Sequence, residues 1–583
     1  MSAPRAVPML GWPSSAELLL PGSKSVANRL LVAAAIAATP TRLCGVPASD
    51  DVQHLLQGLR TLGHRVDVDA DRGDGGLGDG ATVTVTPRTA ATPGAGELFC
   101  GNAGTALRFL VSLAAITKGT WTVTGDAAMQ RRPIGPLVAA WRQLGVDVRD
   151  TNGCPPVHVQ SDGPPCGGVV TIDASVSSQF VSSLLLVGSA LPDGIDVRYA
   201  GDAASREYTQ LTCRTLAAFG IDASTDEQGA RVRPCRAAAT RELFVDGDWS
   251  GMGVWTCLAH ATSAQLTARN LVRESGQADE ALGALLAQLP ALGDTTIDVA
   301  TMPDQFLNLA VLAALRPGTT TFVGGANLRV KECDRLAIAA RELAKLGADV
   351  TERADGLVVR GGRALHGGVV DPANDHRVAM AFALLGLLSP GIAIADPACV
   401  AKSYPTFWRD LDLVLAARPP LVLVGMRGVG KTTLGRALAA RTGAAFVDVD
   451  ERFVALHGPI AAFVAQHGWP AFRAREAELV AASLQPNTIV ATGGGAVTEA
   501  RTRSLLRERA RVVWLEAPVD VLRARLAKDA AQRPSLTGAP VLDELAKVLA
   551  ERTPLYAEVA HVRVDATLPP DALVAATLLQ LRR

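Results

Sequence analysis

The sequence predicts an α/β protein of two unequal parts, a long stretch of repeated α/β units followed by a shorter unit built on a parallel sheet. The first observation is a recurring joint, an apolar helical segment ending in Leu-Gly or Phe-Gly and followed by an alternating strand. It reads LRTLGHRVDV around Gly63, WRQLGVDVRD at Trp141 to Asp150, LAAFGIDA around Gly220, less clearly LPALGDTTIDV around Gly293, and LAKLGADV around Gly347. Glycine behind a helix supplies a left-handed cap, and period-two alternation after it reads as a strand. Spacings of roughly 55 to 80 residues exceed the ~20 to 50 of a solenoid, so these are folding units and not stacked repeats. The second observation is Ala416-Ala417-Arg418-Pro419-Pro420, which breaks both periodicities and reads as a short stiff linker. The third lies beyond it. Leu421 to Gly425 is a short buried-strand pattern, and RALAART, AAFVDVD, TIVATGGG and ARVVWLE then alternate helix and strand, as in a parallel sheet with crossover helices.

Composition bounds the function. A chain of 583 residues is far longer than one core can use, which excludes a single small binding module. With 48% hydrophobic and 20% charged residues the chain is globular and not disordered. Lys+Arg and Asp+Glu both number 57, so no net field invites nucleic acid or an anionic membrane. From Leu421 onward the balance is mildly basic, 21 against 16. The nine cysteines form no C-x-x-C pair, which argues against a disulfide framework or a zinc site and fits a reducing cytoplasm. The first residues lack the apolar run of a secretion signal, and Val378 to Leu388 is too short to span a bilayer, so a soluble cytoplasmic protein is expected. Only eight lysines occur: Lys24, Lys118, Lys331, Lys345, Lys402, Lys431, Lys528 and Lys547. In a chain this biased to arginine, a lysine marks a place where a compact, titratable ammonium suits better than a guanidinium.

In the first part, small polar and cationic residues gather in short motifs. Pro21-Gly22-Ser23-Lys24-Ser25-x-x-Asn28-Arg29 and Gly101-Asn102-Ala103-Gly104-Thr105-Ala106-x-Arg108 are anion-receptive helix starts. Arg131-Arg132-Pro133-Ile134, Ser177-Ser178-Gln179-Phe180, Asn327-x-Arg329-x-Lys331-Glu332-x-Asp334-Arg335, Asp375-His376-Arg377 and Ala401-Lys402-Ser403 follow. Each alone has a plain reading as a capping turn or an exposed ion pair. Together, over roughly residues 8 to 412, they resemble the 3-phosphoshikimate 1-carboxyvinyltransferase (EPSP synthase) family. Joining phosphoenolpyruvate to shikimate 3-phosphate gathers phosphates and carboxylates in one cleft, which needs many cations. The resemblance implies an inverse α/β barrel in two subdomains within residues 1–418, one of about 21–240 and one of 1–20 plus 241–415. It implies Lys24, Ser25, Arg29, Ser177, Ser178, Gln179, Ser205, Tyr208, Asp304, Asn327 and Lys331 around shikimate 3-phosphate, and Lys24, Asn102, Gly104, Arg132, Gln179, Arg335, Arg377 and Lys402 around phosphoenolpyruvate. Asp304 matches the carboxylate beside the reacting hydroxyl, with Glu332 and Lys24 as proton-transfer groups; no cofactor is implied for this half. Two departures stand out: Val245-Asp246-Gly247-Asp248-Trp249-Ser250-Gly251-Met252 replaces the usual Asp-x-Ser-Ser-Ala, which bears on packing, and Phe109 stands where some members have proline. Gly104 is expected to leave room for the inhibitor glyphosate.

In the second part, Gly425-Met426-Arg427-Gly428-Val429-Gly430-Lys431-Thr432, with Thr433 behind it, fits G-x-x-x-x-G-K-[ST] between a strand and a helix. Backbone N–H groups then wrap phosphates, Lys431 reaches the outer ones, and Thr432 offers a hydroxyl to Mg²⁺. Asp448 and Asp450 end the next strand, one placed to help hold Mg²⁺ and the other to take a hydroxyl proton. Phe472-Arg473-x-x-Glu476, Gly493-Gly494-Gly495, Arg533-Pro534 and Arg552-Thr-Pro-Leu-Tyr556 follow in order. This set resembles shikimate kinase over 421–583. The resemblance implies Asp450, Arg473, Gly494, Gly495 and Arg552 around shikimate, Arg533 on a lid over ATP, and Thr432 and Asp448 at Mg²⁺. Arg533-Pro-Ser-Leu536 departs from the usual Arg-Pro-Leu-Leu. The expected protein is bifunctional, with shikimate, ATP and phosphoenolpyruvate as small-molecule partners, no nucleic acid or membrane partner, and a monomeric state. The rivals are a UDP-N-acetylglucosamine enolpyruvyl transferase, against which Lys24-Ser25 argues; a kinase of another small hydroxyl compound; and a nucleotide-binding regulatory or scaffold protein whose transferase half has decayed.

Overall fold

The computed structural model describes residues 3–69, 80–89, 94–201, 206–235, 241–527 and 544–582. One folding unit is used repeatedly. In four sheets a parallel strand pair is continued by an antiparallel hairpin: Gly94–Phe99 pairs in parallel with Gly119–Thr124, which is followed across the sheet by Cys154–Ser161 and Asp147–Thr151. The same order is built from Arg241–Phe244, Thr41–Pro47, Gly80–Thr86 and Arg65–Asp69. It recurs in Gly168–Asp173, Ile195–Ala200, Gly229–Val232 and Ala223–Thr225, and in Thr295–Asp298, Gly318–Val323, Gly356–Gly361 and Asp349–Arg353.

The helix-Gly-strand joints sit within these units. Gly63, Gly145, Gly220, Gly293 and Gly347 all have φ between 74° and 95°, where a side chain would be strained. Four of them feed the outer strand of the antiparallel hairpin. Gly293 feeds Thr295–Asp298, an outer strand of a parallel pair, which explains why its copy of the pattern reads least clearly.

The helices Lys24–Ile36, Gly104–Ile116 and Ser178–Gly188 pack on one another inside a first hydrophobic core running from Ala27 to Val245. Trp249–Thr262, Phe306–Leu315 and His376–Leu388 form the corresponding trio in a second core, which also takes Val7, Leu10, Leu18 and Leu20 from the start of the chain. These helices are apolar around most of their circumference because sheets and sister helices enclose them.

The Trp249 region is accommodated. Asp248 caps its helix by accepting from Ser250 N at 3.1 Å, Trp249 Nε1 donates to Val272 O at 2.9 Å, and Gly251 lies against the Tyr404 ring. Phe109 is fully buried, with the Arg29 guanidinium 5.7 Å from its ring centre.

A third core holds Leu421 to Leu581 together with Met9 and Trp12. Its sheet is all parallel, ordered Ala445–Asp448, Thr488–Ala491, Leu421–Val424, Arg511–Glu516, Val562–Asp565. The helix Lys431–Thr442 leaves the central strand through the glycine-rich loop. Among the described residues no helix is long and apolar enough to cross a membrane.

Candidate active sites

The first site is a cleft between the first and second cores, onto which the starts of several buried helices converge. Lys24 and Ser25, Gly104 and Thr105, and Ser177, Ser178 and Gln179 come from the first trio; Asp304 and Arg377 come from just before or within the first turns of the second. Aligned peptide dipoles make such helix starts positive, so the arrangement favours anions before any side chain is counted. Caps hold the geometry: Ser177 Oγ accepts from Gln179 N at 3.3 Å, and Asp375 Oδ1 from Arg377 N at 2.9 Å. Six cations, Lys24, Arg29, Arg132, Lys331, Arg335 and Arg377, line the cavity against three carboxylates, Asp51, Asp304 and Glu332.

Of the residues the sequence singled out for this half, Lys24, Ser25, Arg29, Gly104, Arg132, Ser177, Ser178, Gln179, Tyr208, Asp304, Asn327, Lys331, Glu332, Arg335 and Arg377 line this one cavity. Asn102 and Lys402 stand at its edge. Lys402 Nζ donates to Asn102 O at 3.0 Å and lies 3.5 Å from Glu332, and Arg132 Nη1 is 3.3 Å from Asn102 Oδ1. Ser205 lies outside the described residues.

Asp304 accepts from Arg335 at 3.0 Å, Arg377 at 2.7 Å and the Tyr208 hydroxyl at 3.2 Å. Burial alone would raise its pKa, but Arg377 and Arg335 outweigh that and hold the carboxyl below the usual range. Glu332 behaves alike: burial is overcome by Lys402, Arg335 and Arg132, which hold it well below the ordinary value. For Lys24, burial is outweighed by Asp51, 2.8 Å away, and by Glu332, which keep the ammonium above the ordinary lysine range. Lys331 goes the other way, pushed down by burial that Asp304 only partly offsets. Arg29 is held by neutral acceptors, Thr212 Oγ1 and Ser25 O at 2.8 Å and Ser182 Oγ and Tyr208 O at 3.2 Å, and burial lowers it to about 10.

Three supporting residues escaped the sequence reading. Asp51 pairs with Lys24, yet in the sequence it is one of two acids in an ordinary first turn. Asp375 fixes Arg335 at 2.8 Å while capping its own helix, and Arg108 holds Gln179 Oε1 at 2.8 Å. Both stood inside quoted motifs, but spacing alone gave no sign of whom they would meet.

The second site surrounds the glycine-rich loop. Gly425, Gly428 and Gly430 have φ of 143°, 77° and 106°, conformations that a side chain would strain. Met426 and Val429 are buried and line a small cavity with Trp514, while Arg427 N approaches Gly494. Lys431 Nζ donates to Gly425 O at 2.9 Å and Met426 O at 3.0 Å, folded onto its own loop. Thr432 Oγ1 donates to Asp448 Oδ2 at 2.6 Å, followed along the helix by Thr433. Asp448 Oδ1 meanwhile accepts from the N–H groups of Asp450 and Glu451.

Arg473 and Arg552 line one cavity of about 360 Å³ with Trp469 and Leu555. Arg473 pairs with Glu476, and Arg552 Nη1 donates to Gly494 O at 3.0 Å. A β-carbon on Gly493 would lie 2.9 Å from Asp450 Oδ1, and one on Gly495 would strike the Arg473 guanidinium, so the glycines let these groups converge. Arg533 lies outside the described residues.

Comparison with known proteins finds a family for each part of the chain. The family model for EPSP synthase (3-phosphoshikimate 1-carboxyvinyltransferase) matches residues 11–411, and that for shikimate kinase matches residues 427–582. The 3-phosphoshikimate 1-carboxyvinyltransferase of Rhizobium leguminosarum bv. trifolii is 38% identical over 408 residues, 69% of this chain and 94% of that one. The pentafunctional AROM polypeptide of Yarrowia lipolytica is 32% identical over 608 residues, 93% of this chain but only 38% of its own length. The solved EPSP synthase of Acinetobacter baumannii shares the fold, with a TM-score of 0.58 at 24% identity over 71% of this chain and 98% of that one. The chain therefore belongs to the EPSP synthase family and carries a shikimate kinase domain behind it.

Proposed function

We infer that this chain phosphorylates shikimate with ATP and then transfers the carboxyvinyl group of phosphoenolpyruvate to the product. The observation that carries the reading is the pairing of two sites in one chain: a phosphate-wrapping loop beside a two-arginine pocket, and a cation-rich cleft at converging helix starts. One makes the phosphorylated, carboxylate-bearing substrate that the other is built to hold. The partition into residues 1–418 and 421–583 is supported by separate cores on either side of the linker.

In the kinase half, Arg473 and Arg552 orient the shikimate carboxylate by forked hydrogen bonds. Asp450 takes the proton of the attacking hydroxyl while the γ-phosphoryl passes from ATP to that oxygen and ADP leaves. The paired oxygens of Thr432 and Asp448 suit a hard cation that keeps phosphate and water ligands, and Mg²⁺ bound there would neutralise charge on the phosphates. Lys431 exchanges its two loop carbonyls for phosphate oxygens when nucleotide enters.

In the transferase half, Asp304 accepts the proton of the 5-hydroxyl as that oxygen adds to C2 of phosphoenolpyruvate. Lys24, kept protonated by Asp51 and Glu332, supplies the proton to C3. The tetrahedral intermediate then loses phosphate as a proton leaves C3, restoring the double bond, with Glu332 as the second proton-transfer group. Arg132, Arg335, Arg377 and Lys402 stabilise the phosphate and carboxylate throughout.

The test incubates the full chain with shikimate, Mg-ATP and phosphoenolpyruvate and weighs the products. Carboxyvinyl shikimate phosphate is expected, and Lys431→Ala should abolish it unless shikimate 3-phosphate is supplied. Product stopping at shikimate 3-phosphate would refute the transferase assignment; untouched shikimate would refute the kinase one.

A further inference from the structure

We propose that the seam between the two catalytic halves is a binding site for a small monocarboxylate with an aryl or branched aliphatic body. An apolar cavity of about 360 Å³ opens there, within the ordinary size range of small-ligand pockets. Leu309, Leu312 and Leu388 form its transferase walls, and Leu579 on the last helix of the kinase half, Pro570–Leu581, closes the opposite side. None of the residues lining the active-site cavities lines this one.

Its charged groups are two arginines, beside the polar His260 and Thr320. Arg316 reaches it from the transferase half and Arg582 from the kinase half. Arg316 donates to Pro290 O at 3.2 Å and Thr320 Oγ1 at 2.9 Å, and Arg582 to Leu388 O. Among the described residues neither guanidinium forms an ion pair. The exposed Asp294 is held below its usual range by the hydrogen bonds of Thr319 and then by Arg316. A guanidinium against apolar walls is costly unless an anion meets it. Two such groups on one apolar cavity therefore select a ligand with an anionic head and a hydrophobic body, and a neutral or cationic ligand of the same shape leaves the charges unmet. Because the walls come from both halves, the occupant also ties the last kinase helix to the transferase.

Calorimetric titration of the full chain with 3-phenylpropionate tests this, using 3-phenylpropionamide as the uncharged twin and saturating ATP and shikimate 3-phosphate to fill the active sites. One saturable site for the acid is expected, with the amide about tenfold weaker or more, the worth of a charge-assisted hydrogen bond. Arg316→Gln and Arg582→Gln should each weaken the acid toward the amide's affinity and leave the amide unchanged. Leu579→Glu, at an exposed position, should repel the acid without disturbing the fold. Equal binding of acid and amide, no saturable site, or acid binding that survives both arginine replacements would overturn the proposal.

Discussion

Asp304 is held by two arginines and a tyrosine hydroxyl at once, so its charge is fixed before substrate arrives. Asp304→Asn keeps the size but cannot accept a proton, and kcat of the transferase should fall by about 10² to 10⁴ with the melting temperature little changed; steady-state kinetics with shikimate 3-phosphate supplied checks this, and an undiminished kcat excludes Asp304 as base. Gly104 makes a different case. A β-carbon there would lie 2.6 Å from Arg108 Nη1 and 2.8 Å from the Arg132 guanidinium, the mobile ends of long side chains. Gly104→Ala should therefore fold normally but displace Arg132, raising KM for phosphoenolpyruvate and weakening glyphosate by about tenfold; unchanged constants for both ligands would mean that the arginines yield freely. His376 is fully buried with no hydrogen bond at either ring nitrogen, Nδ1 lying 3.7 Å from Asp375 Oδ1, and burial followed by Lys24 and Arg377 pushes it well below the ordinary 6.5. An unfolded chain binds that proton as pH falls below 6.5 and the native chain does not. The contribution of His376 to stability is thus full above 6.5 and lost on acidification. His64, lowered to about 4 by burial and Arg88, acts in the same sense, whereas Asp279, raised to about 6 by burial and Asp304, opposes them. Melting temperature measured from about pH 7.5 to about pH 5.5 should fall less steeply in His376→Asn than in the parent; parallel profiles would count against a neutral buried imidazole.

At the scale of elements, the repeated joints were legible because a helix cap and a strand alternation are local properties, settled within a dozen residues. The helix Trp249–Thr262 was not, since its sequence departs from the pattern of its relatives while its neighbours decide whether that matters. Asp248 supplies the cap, and Gly253 faces Gln305 so closely that an added β-carbon would lie 2.0 Å from its Oε1. Gly253→Ala should cost about 1 to 3 kcal/mol by overpacking, and Asp248→Ala about 1 kcal/mol by loss of the cap. Denaturant melts rank the two; a neutral Gly253→Ala would show that Gln305 has room to move.

At the scale of the whole molecule, Arg418 turns a linker into a joint. Read from sequence, it belonged to a stiff connector between independent parts. In the structure it is fully buried, stacked 4.6 Å from the Trp12 ring centre, and donates to Leu415 O, Met9 O, Leu10 O, Thr442 O and Asn487 Oδ1. The start of the chain, the linker and the kinase half thus meet on one guanidinium, which burial lowers to about 9. Arg418→Ala would strand several buried carbonyls and should destabilise the junction by about 3 kcal/mol. Calorimetry is expected to show one coupled transition in the parent and two separated ones in the variant; identical thermograms would mean that Arg418 does not couple the halves.

The sequence by itself determined the α/β class, the two-part organisation, the glycine-rich loop and most of the residues that line the first cleft. Helix caps, strand alternation and short anion-binding motifs depend on neighbours a few positions away, and such information survives in one dimension. Only the tertiary structure decided which acids meet which bases. Asp51 beside Lys24 and Asp375 beside Arg335 are joined across 27 and 40 residues, and Arg418 reaches Met9 across 409 and Asn487 across 69. Their protonation and their hold on the domains follow from burial and proximity, which chain order does not encode.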